Sequence, residues 1–174
     1  MQTKNKIRKS VKAQTAGRRT FSRLDRIDRQ ILRLLQADGR MSNVELAGRV
    51  HLSPAACLER VRALLGEGFI RGFRAVLDPT AAEVGMLVFV QVVLERTTPD
   101  VFDAFKSAVL ARPEILECHM IAGGFDYLLK ARVKDMRAYR EFTASAVWAL
   151  PGVRETHTYV VMEEVKETTA LPLG

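Results

Sequence analysis

The chain has 174 residues, 48% of them hydrophobic and 27% charged, and a net charge of +7. That length supports one or two small domains with modest cores, and the composition is that of an ordinary soluble protein. The longest apolar stretch, Gly85 to Leu94, is interrupted by Gln91 and has about half the length a bilayer crossing needs, so no membrane span is expected.

The charge is unevenly placed. Residues 1–23 carry eight Lys or Arg and no acid, residues 24–78 nine Arg against seven acids, and residues 79–174 ten bases against thirteen acids. Isolated Ile7, Val11 and Phe21 cannot build a core, so residues 1–23 read as a disordered basic tail suited to phosphate. No apolar run follows those charges, so no secretory signal is expected. Cys57 and Cys118 show neither CxxC nor clustered spacing and read as free thiols in a reducing, cytoplasmic setting.

Helical periodicity begins at Leu24. Ile27, Ile31, Leu34 and Leu35 fall on one face behind an Asp25 start, and Asp38-Gly39 closes the helix. Ser42 with Glu45 three residues on is a capping box that opens a second helix. After the corner His51-Leu52, Ser53 followed by Pro54 opens a third. Two helices joined by so short a corner form a helix-turn-helix, whose second helix is the natural probe of a major groove. On that helix Leu58, Val61 and Leu65 are the expected buried stripe, which leaves Ala56, Glu59, Arg60 and Ala63 opposite, with Ala55 and Arg62 at the margins. The expected DNA-contacting set is Ser42, Asn43, Ser53, Pro54, Ala55, Ala56, Glu59, Arg60 and Arg62. Phe69 to Leu77 alternates and reads as a strand, making residues 24–78 a winged helix-turn-helix, with residues 79–84 as a short hinge.

Residues 85–174 alternate elements in an informative order. A strand from Met86 to Glu95 precedes a helix capped by Thr98-Pro99 and ending before Pro113. A strand from Ile115 to Ile121 turns tightly at Gly123-Gly124 into another from Phe125 to Val133. Asp135 caps a helix that Pro151-Gly152 stops after Leu150, and Val153 to Glu163 is the last strand. The fold class is therefore α+β, a winged helix-turn-helix followed by a ferredoxin-like βαββαβ domain. An internal echo supports that count: Pro113, Ile115, Glu117 and His119 recur as Pro151, Val153, Glu155 and His157, at a constant offset of 38. Residues two apart share a strand face, so each trio from the strand start to the histidine is expected on one face, able to meet another subunit.

Leu24-Asp25-Arg26-Ile27-Asp28-Arg29, Ser53-Pro54-Ala55-Ala56-Cys57-Leu58-Glu59-Arg60-Val61, Gly123-Gly124-Phe125-Asp126-Tyr127-Leu128-Leu129-Lys130 and Tyr159-Val160-Val161-Met162-Glu163-Glu164 resemble the Lrp/AsnC family. The likeness runs in order from Leu24 to about Lys166. It implies a regulator of amino-acid metabolism that dimerises, assembles dimers into an octamer or similar disc, and binds a small amino acid, leucine foremost, between subunits. Three positions depart from the family pattern: Ala55-Ala56 stand for a usual Thr-Pro, His51 for a usual Gly, and Gly124 for a common Asp.

For the effector, Gly123 and Gly124 leave backbone amides open to a carboxylate, and Asp126 is placed to meet an ammonium or to brace the loop. Met120, Met136 and Val160 offer an adaptable apolar wall, with Tyr159 at the rim. The resemblance places Met120, Asp126, Met136, Tyr159, Val160 and Val161 around the response site, and Phe125 completes the set.

Cys118 and His119 are strand neighbours on opposite faces and cannot share an ion, and no HExxH, GxSxG or phosphate loop occurs. Neither metal, cofactor nor catalysis is expected. The reading is a cytoplasmic, nucleoid-associated transcription regulator whose dimers offer two recognition helices to near-palindromic double-stranded DNA. An architectural protein that wraps DNA without an obligatory ligand is the alternative.

Overall fold

The structure is a computed structural model that describes residues 21–173; the basic tail up to residue 20 lies outside the described residues. The chain divides into two compact units, one containing the described residues up to Ala75 together with those from Thr168, the other Val76–Glu167.

In the first unit, Asp25 starts α1 (Arg26–Ala37), its carboxylate accepting the Asp28 amide at 2.8 Å. Ser42 starts α2 (Asn43–Arg49) by accepting the Glu45 amide at 3.2 Å. The Glu45 carboxylate turns outward to the Arg49 guanidinium at 2.9 Å, so the reciprocal half of the capping box is not made. Ser53 starts α3 (Pro54–Gly66), with Pro54 where no amide is needed. Ile31, Leu46, Ala47, Val50, Cys57 and Leu64 are buried together as the core of this unit.

The corner between α2 and α3 is closed by two bonds, His51 N–H to Gly48 O at 3.3 Å and Leu52 N–H to Ala47 O at 2.9 Å. That pattern is a Schellman motif, which requires a left-handed residue at its pivot, and His51 supplies it at φ 57°.

The expected wing strand does not form. From Arg71 to Leu77 the chain has no regular structure, and Phe73, Val76 and Leu77 are exposed. Alternation yields a strand only where another strand takes up its amides, and among the described residues none runs beside this segment. The C-terminal segment also departs from expectation. Leu171 exchanges both backbone bonds with the side chain of Gln36, at 2.7 and 3.2 Å, and Leu173 packs on the helical core, so residues 168–173 group with the first unit.

The second unit opens with a closed turn where a hinge was expected: Ala82 and Val84 donate to Asp78 O and Pro79 O, and Glu83 (φ 57°) pairs with Lys134 at 2.8 Å. Then come β1 (Met86–Leu94), α4 (Pro99–Leu110), β2 (Ile115–Met120), β3 (Tyr127–Val133), α5 (Met136–Phe142) and β4 (Val153–Val160). The strands form one four-stranded sheet in the order β2-β3-β1-β4, every neighbour antiparallel. That is the βαββαβ plait the sequence implies. Alternate residues of the two central strands, Val88, Val90, Val92, Tyr127, Leu129 and Ala131, are buried with residues of α4 and α5 such as Phe105, Val109 and Phe142.

Two local expectations change. Thr98 precedes α4 without a side-chain cap, and the last helix is α5 continued by a π-helical turn, Thr143–Val147. Gly152 is required where it stands: φ is 75°, and a Cβ there would sit 2.7 Å from Val101 Cγ1.

The internal echo is structural as well as sequential. β2 and β4 are the two outer strands, and each carries one extra residue, Leu116 between Ile115 and Glu117 and Arg154 between Val153 and Glu155. These bulges separate residues that were expected to share a face. Ile115 and Val153 turn into the core, opposite Ala131 and Leu94, whereas Glu117, His119, Glu155 and His157 lie on the face away from the helices.

Candidate nucleic-acid interface and effector site

The buried side of α3 is Cys57 and Leu64, with Val61 half-buried, whereas Leu58 and Leu65 are 36% and 40% exposed. Val61 is common to both stripes, so the helix is rotated by roughly 65° from the expected one. The small Cys57 thiol, not Leu58, is buried with residues of α1 and α2. The rotation centres the outer face on Ala55, Glu59 and Arg62, with Ala56 and Ala63 also exposed. Glu59 and Arg62 pair along that face at 2.8 Å. Ser53 is exposed at its start, its hydroxyl capping the Ala56 amide at 3.2 Å.

Two of the expected DNA contacts are engaged inside the unit. Asn43 Nδ2 donates to Pro54 O at 2.7 Å, joining the starts of α2 and α3. Arg60 Nη1 reaches Asp25 at 2.6 Å and Asp28 at 2.8 Å, at the start of α1. The bonds to Asp25 and then Asp28 raise the Arg60 pKa above its ordinary value. Asp25 lies below its ordinary value, first through the Asp28 amide and then through Arg60. Both Asp25 and Asp28 are far from α3 in sequence, and nothing in the helix pattern signals that Arg60 would turn toward them.

The expected effector residues fall into two groups. Met120, Gly123, Gly124, Phe125 and Asp126 surround the β2–β3 connection. That connection is an open six-residue loop, with neither glycine at positive φ, so the expected tight turn is absent. A Cβ on Gly124 would meet nothing within 4 Å, which leaves its amides approachable. Asp126 braces this loop: Oδ2 accepts the Leu94 amide at 2.8 Å, and its own amide donates to Val92 O at 3.0 Å. The second group, Met136, Tyr159, Val160 and Val161, lies at the other end of the sheet, where the Val161 amide donates to Leu87 O at 3.0 Å. Met120, Met136 and Tyr159 are each about half exposed. The length of β1 between Leu87 and Leu94 separates the two groups by about 20 Å.

On the open face of the sheet, Glu117 meets His119 at 3.0 Å and Lys130 at 3.1 Å, while Glu155 meets His157 at 3.4 Å. His119 and then Lys130 hold the Glu117 carboxyl below its ordinary value. Among the described residues no group of three metal-capable side chains occurs, and no helix is long and apolar enough to cross a membrane.

A helix-turn-helix with a free outer face, carried on the same chain as a small α+β module, defines a one-component transcription regulator, a protein that reads DNA and senses a ligand in a single polypeptide. Residues 24–65 match the AsnC-type helix-turn-helix domain, and residues 87–171 match the Lrp/AsnC ligand binding domain. The leucine-responsive regulatory proteins of Klebsiella pneumoniae and Escherichia coli strain K12 are each 57% identical to it over 148 residues, covering 85% of this chain and 90% of the relative. A transcriptional regulator of Neisseria meningitidis, solved as its L-Met complex, superposes with a TM-score of 0.82 at 39% identity, covering 86% of this chain and 97% of that one. An AsnC family regulator of Agrobacterium tumefaciens gives the same TM-score, 0.82, at 34% identity, with 86% and 97% covered. The chain belongs to the Lrp/AsnC family of transcription regulators, and it is a DNA-binding regulator modulated by a ligand.

Proposed function

We propose that the effector is a free amino acid, leucine foremost, bound where two copies of the chain meet. The observation that carries this is the separation of the two effector groups. A span of about 20 Å far exceeds any amino acid, so the Gly123–Asp126 loop and the Val160 end serve one ligand only if different copies contribute them. The loop offers open amides for the carboxylate, and Met120 and Met136 offer deformable apolar contact for the side chain. The leucine-responsive name of the 57% identical relatives supports leucine, and the L-Met held by the Neisseria regulator makes methionine the second candidate.

On the DNA side, Ser42, Ser53, Pro54 and the start of α3 approach phosphate, and Ala55, Ala56, Glu59 and Arg62 face the groove. Two methyl-bearing residues and one ion pair give modest base discrimination, so the protein leans on DNA shape and on several heads binding together. Dimers assembling to an octamer or similar disc supply those heads, in a cytoplasmic, nucleoid-associated setting. The ligand acts only through a difference in its affinity for two assemblies or two placements of the heads.

Calorimetric titration of the full chain with each of the twenty amino acids, with light scattering on the same samples, tests the reading. Leucine binding with a change in mass or in DNA footprint is the expected outcome. Binding of one amino acid per isolated monomer, with both effector groups unaffected by assembly, would overturn the shared site.

A further inference from the structure

We propose that Arg60 does not read DNA but seats the recognition helix, its guanidinium clamping α3 to Asp25 and Asp28 at the start of α1. The inference rests on the reading of α3 as a DNA-binding helix and changes which of its residues carry that work.

The argument begins with how little holds α3 in place. Of its 13 residues only Cys57 and Leu64 are fully buried, a thiol and one leucine, so apolar contact fixes its tilt and rotation weakly. Two polar ties supply the rest. At the N-terminal end Asn43 Nδ2 holds Pro54 O at 2.7 Å, and near the middle Arg60 holds both Asp25 and Asp28. The first tie blocks sliding along the helix axis and the second blocks rotation about it.

Helical geometry places Arg60 accordingly. With Cys57, Val61 and Leu64 at the centre of the buried side, Arg60 lies about 60° from that centre, whereas Arg62 lies roughly 140° away. The exposures agree, at 34% for the Arg60 side chain and 64% for Arg62. Asp28, 19% exposed, is the more enclosed of the two carboxylates. Pulling Arg60 away to reach a base would strand that partner without a cation. Both bonds come from one nitrogen, Nη1, which divides its two hydrogens between the carboxylates.

The test uses the full chain and a duplex that the unaltered protein enriches from a random-sequence pool, with poly(dI-dC) as competitor. Thermal melts confirm that each variant folds. The clamp predicts that Asp25→Asn with Asp28→Asn lowers preference for the enriched duplex by about tenfold, as Arg60→Ala does, although it removes two negative charges from a DNA-binding unit. Combining all three changes should be no worse than Arg60→Ala alone. The salt slope of Arg60→Ala should equal that of the unaltered chain.

A direct contact predicts the reverse, and any of these results overturns the clamp. The paired asparagine variant would bind as well as the unaltered chain or better. The salt slope of Arg60→Ala would fall by roughly 0.9, or preference would relax at one base pair only. Failure of the unaltered chain to enrich any duplex would remove the DNA reading itself, and the clamp with it.

Discussion

The carboxylate of Asp126 accepts the backbone amide of Leu94 at 2.8 Å, so the last residue of β1 is held by a side chain from the loop before β3. This bond continues the β1–β3 ladder past its final backbone pair, Val92 with Tyr127. It makes Asp126 a brace of the loop that carries Gly123 and Gly124, whatever ligand that loop meets.

Two variants separate bracing from charge. Asp126→Asn keeps an oxygen for the Leu94 amide, and its thermal stability should equal that of the unaltered chain. Asp126→Ala removes the acceptor and should cost about 1 kcal/mol in chemical denaturation. If an ammonium is recognised by the charge, both variants lose the leucine response in DNA-binding assays. If only the loop shape matters, Asp126→Asn responds normally.

Tyr127 is 2% exposed and stacks on Phe105 with ring centroids 4.3 Å apart, yet its hydroxyl has no partner among the described residues. An unmet hydroxyl in an apolar core costs about 1–3 kcal/mol. Tyr127→Phe is therefore expected to leave stability unchanged or to raise it, checked by urea unfolding of the full chain. A clear loss would mean that the hydroxyl is in fact satisfied.

His51 pivots the corner between α2 and α3 at φ 57°, a conformation that crowds any Cβ. His51→Gly relieves that crowding but adds freedom to the unfolded chain, for a net gain of about 0.5 kcal/mol. The melting temperature of the variant should rise slightly, and its DNA footprint should be unchanged, because the exposed His51 side chain caps nothing among the described residues.

Asp25 gives the first unit an acid sensitivity of known sign. Its carboxyl sits below the ordinary value of 3.8, so its stabilising contribution is complete above that pH and is lost as pH falls below it. Melting temperatures taken from about pH 5 down to pH 3 should fall more gently for Asp25→Asn than for the unaltered chain. Equal slopes would mean that Asp25 titrates normally in the fold.

Most of the architecture was readable from local signals. Asp25, Ser42, Ser53 and Asp135 each announced a helix start, and each accepts the amide three residues on. The strand count and the plait followed from alternation and from the echo at offset 38. What misled were signals that depend on a partner. Phe69 to Leu77 alternates well enough for a strand but has no neighbouring strand to bond among the described residues. Leu58 and Leu65 outweigh Cys57 in hydrophobicity, so the stripe was drawn toward them, whereas Cys57 and Leu64 are the residues buried with α1 and α2. Arg60 shows the same limit. A basic residue on a recognition helix suggests phosphate, and only the fold brings Asp25 and Asp28 within 3 Å of it. For the expected effector residues, sequence named a set, but only the sheet register reveals that its members fall into two groups along β1.

The extra residues Leu116 and Arg154 interrupt both rims of the sheet at equivalent points. A foreign strand laid along either rim would find the free donors and acceptors thrown out of step after a few residues. Neither border is a good template for endless strand addition. The sheet is thereby guarded at both borders against growth into fibrils.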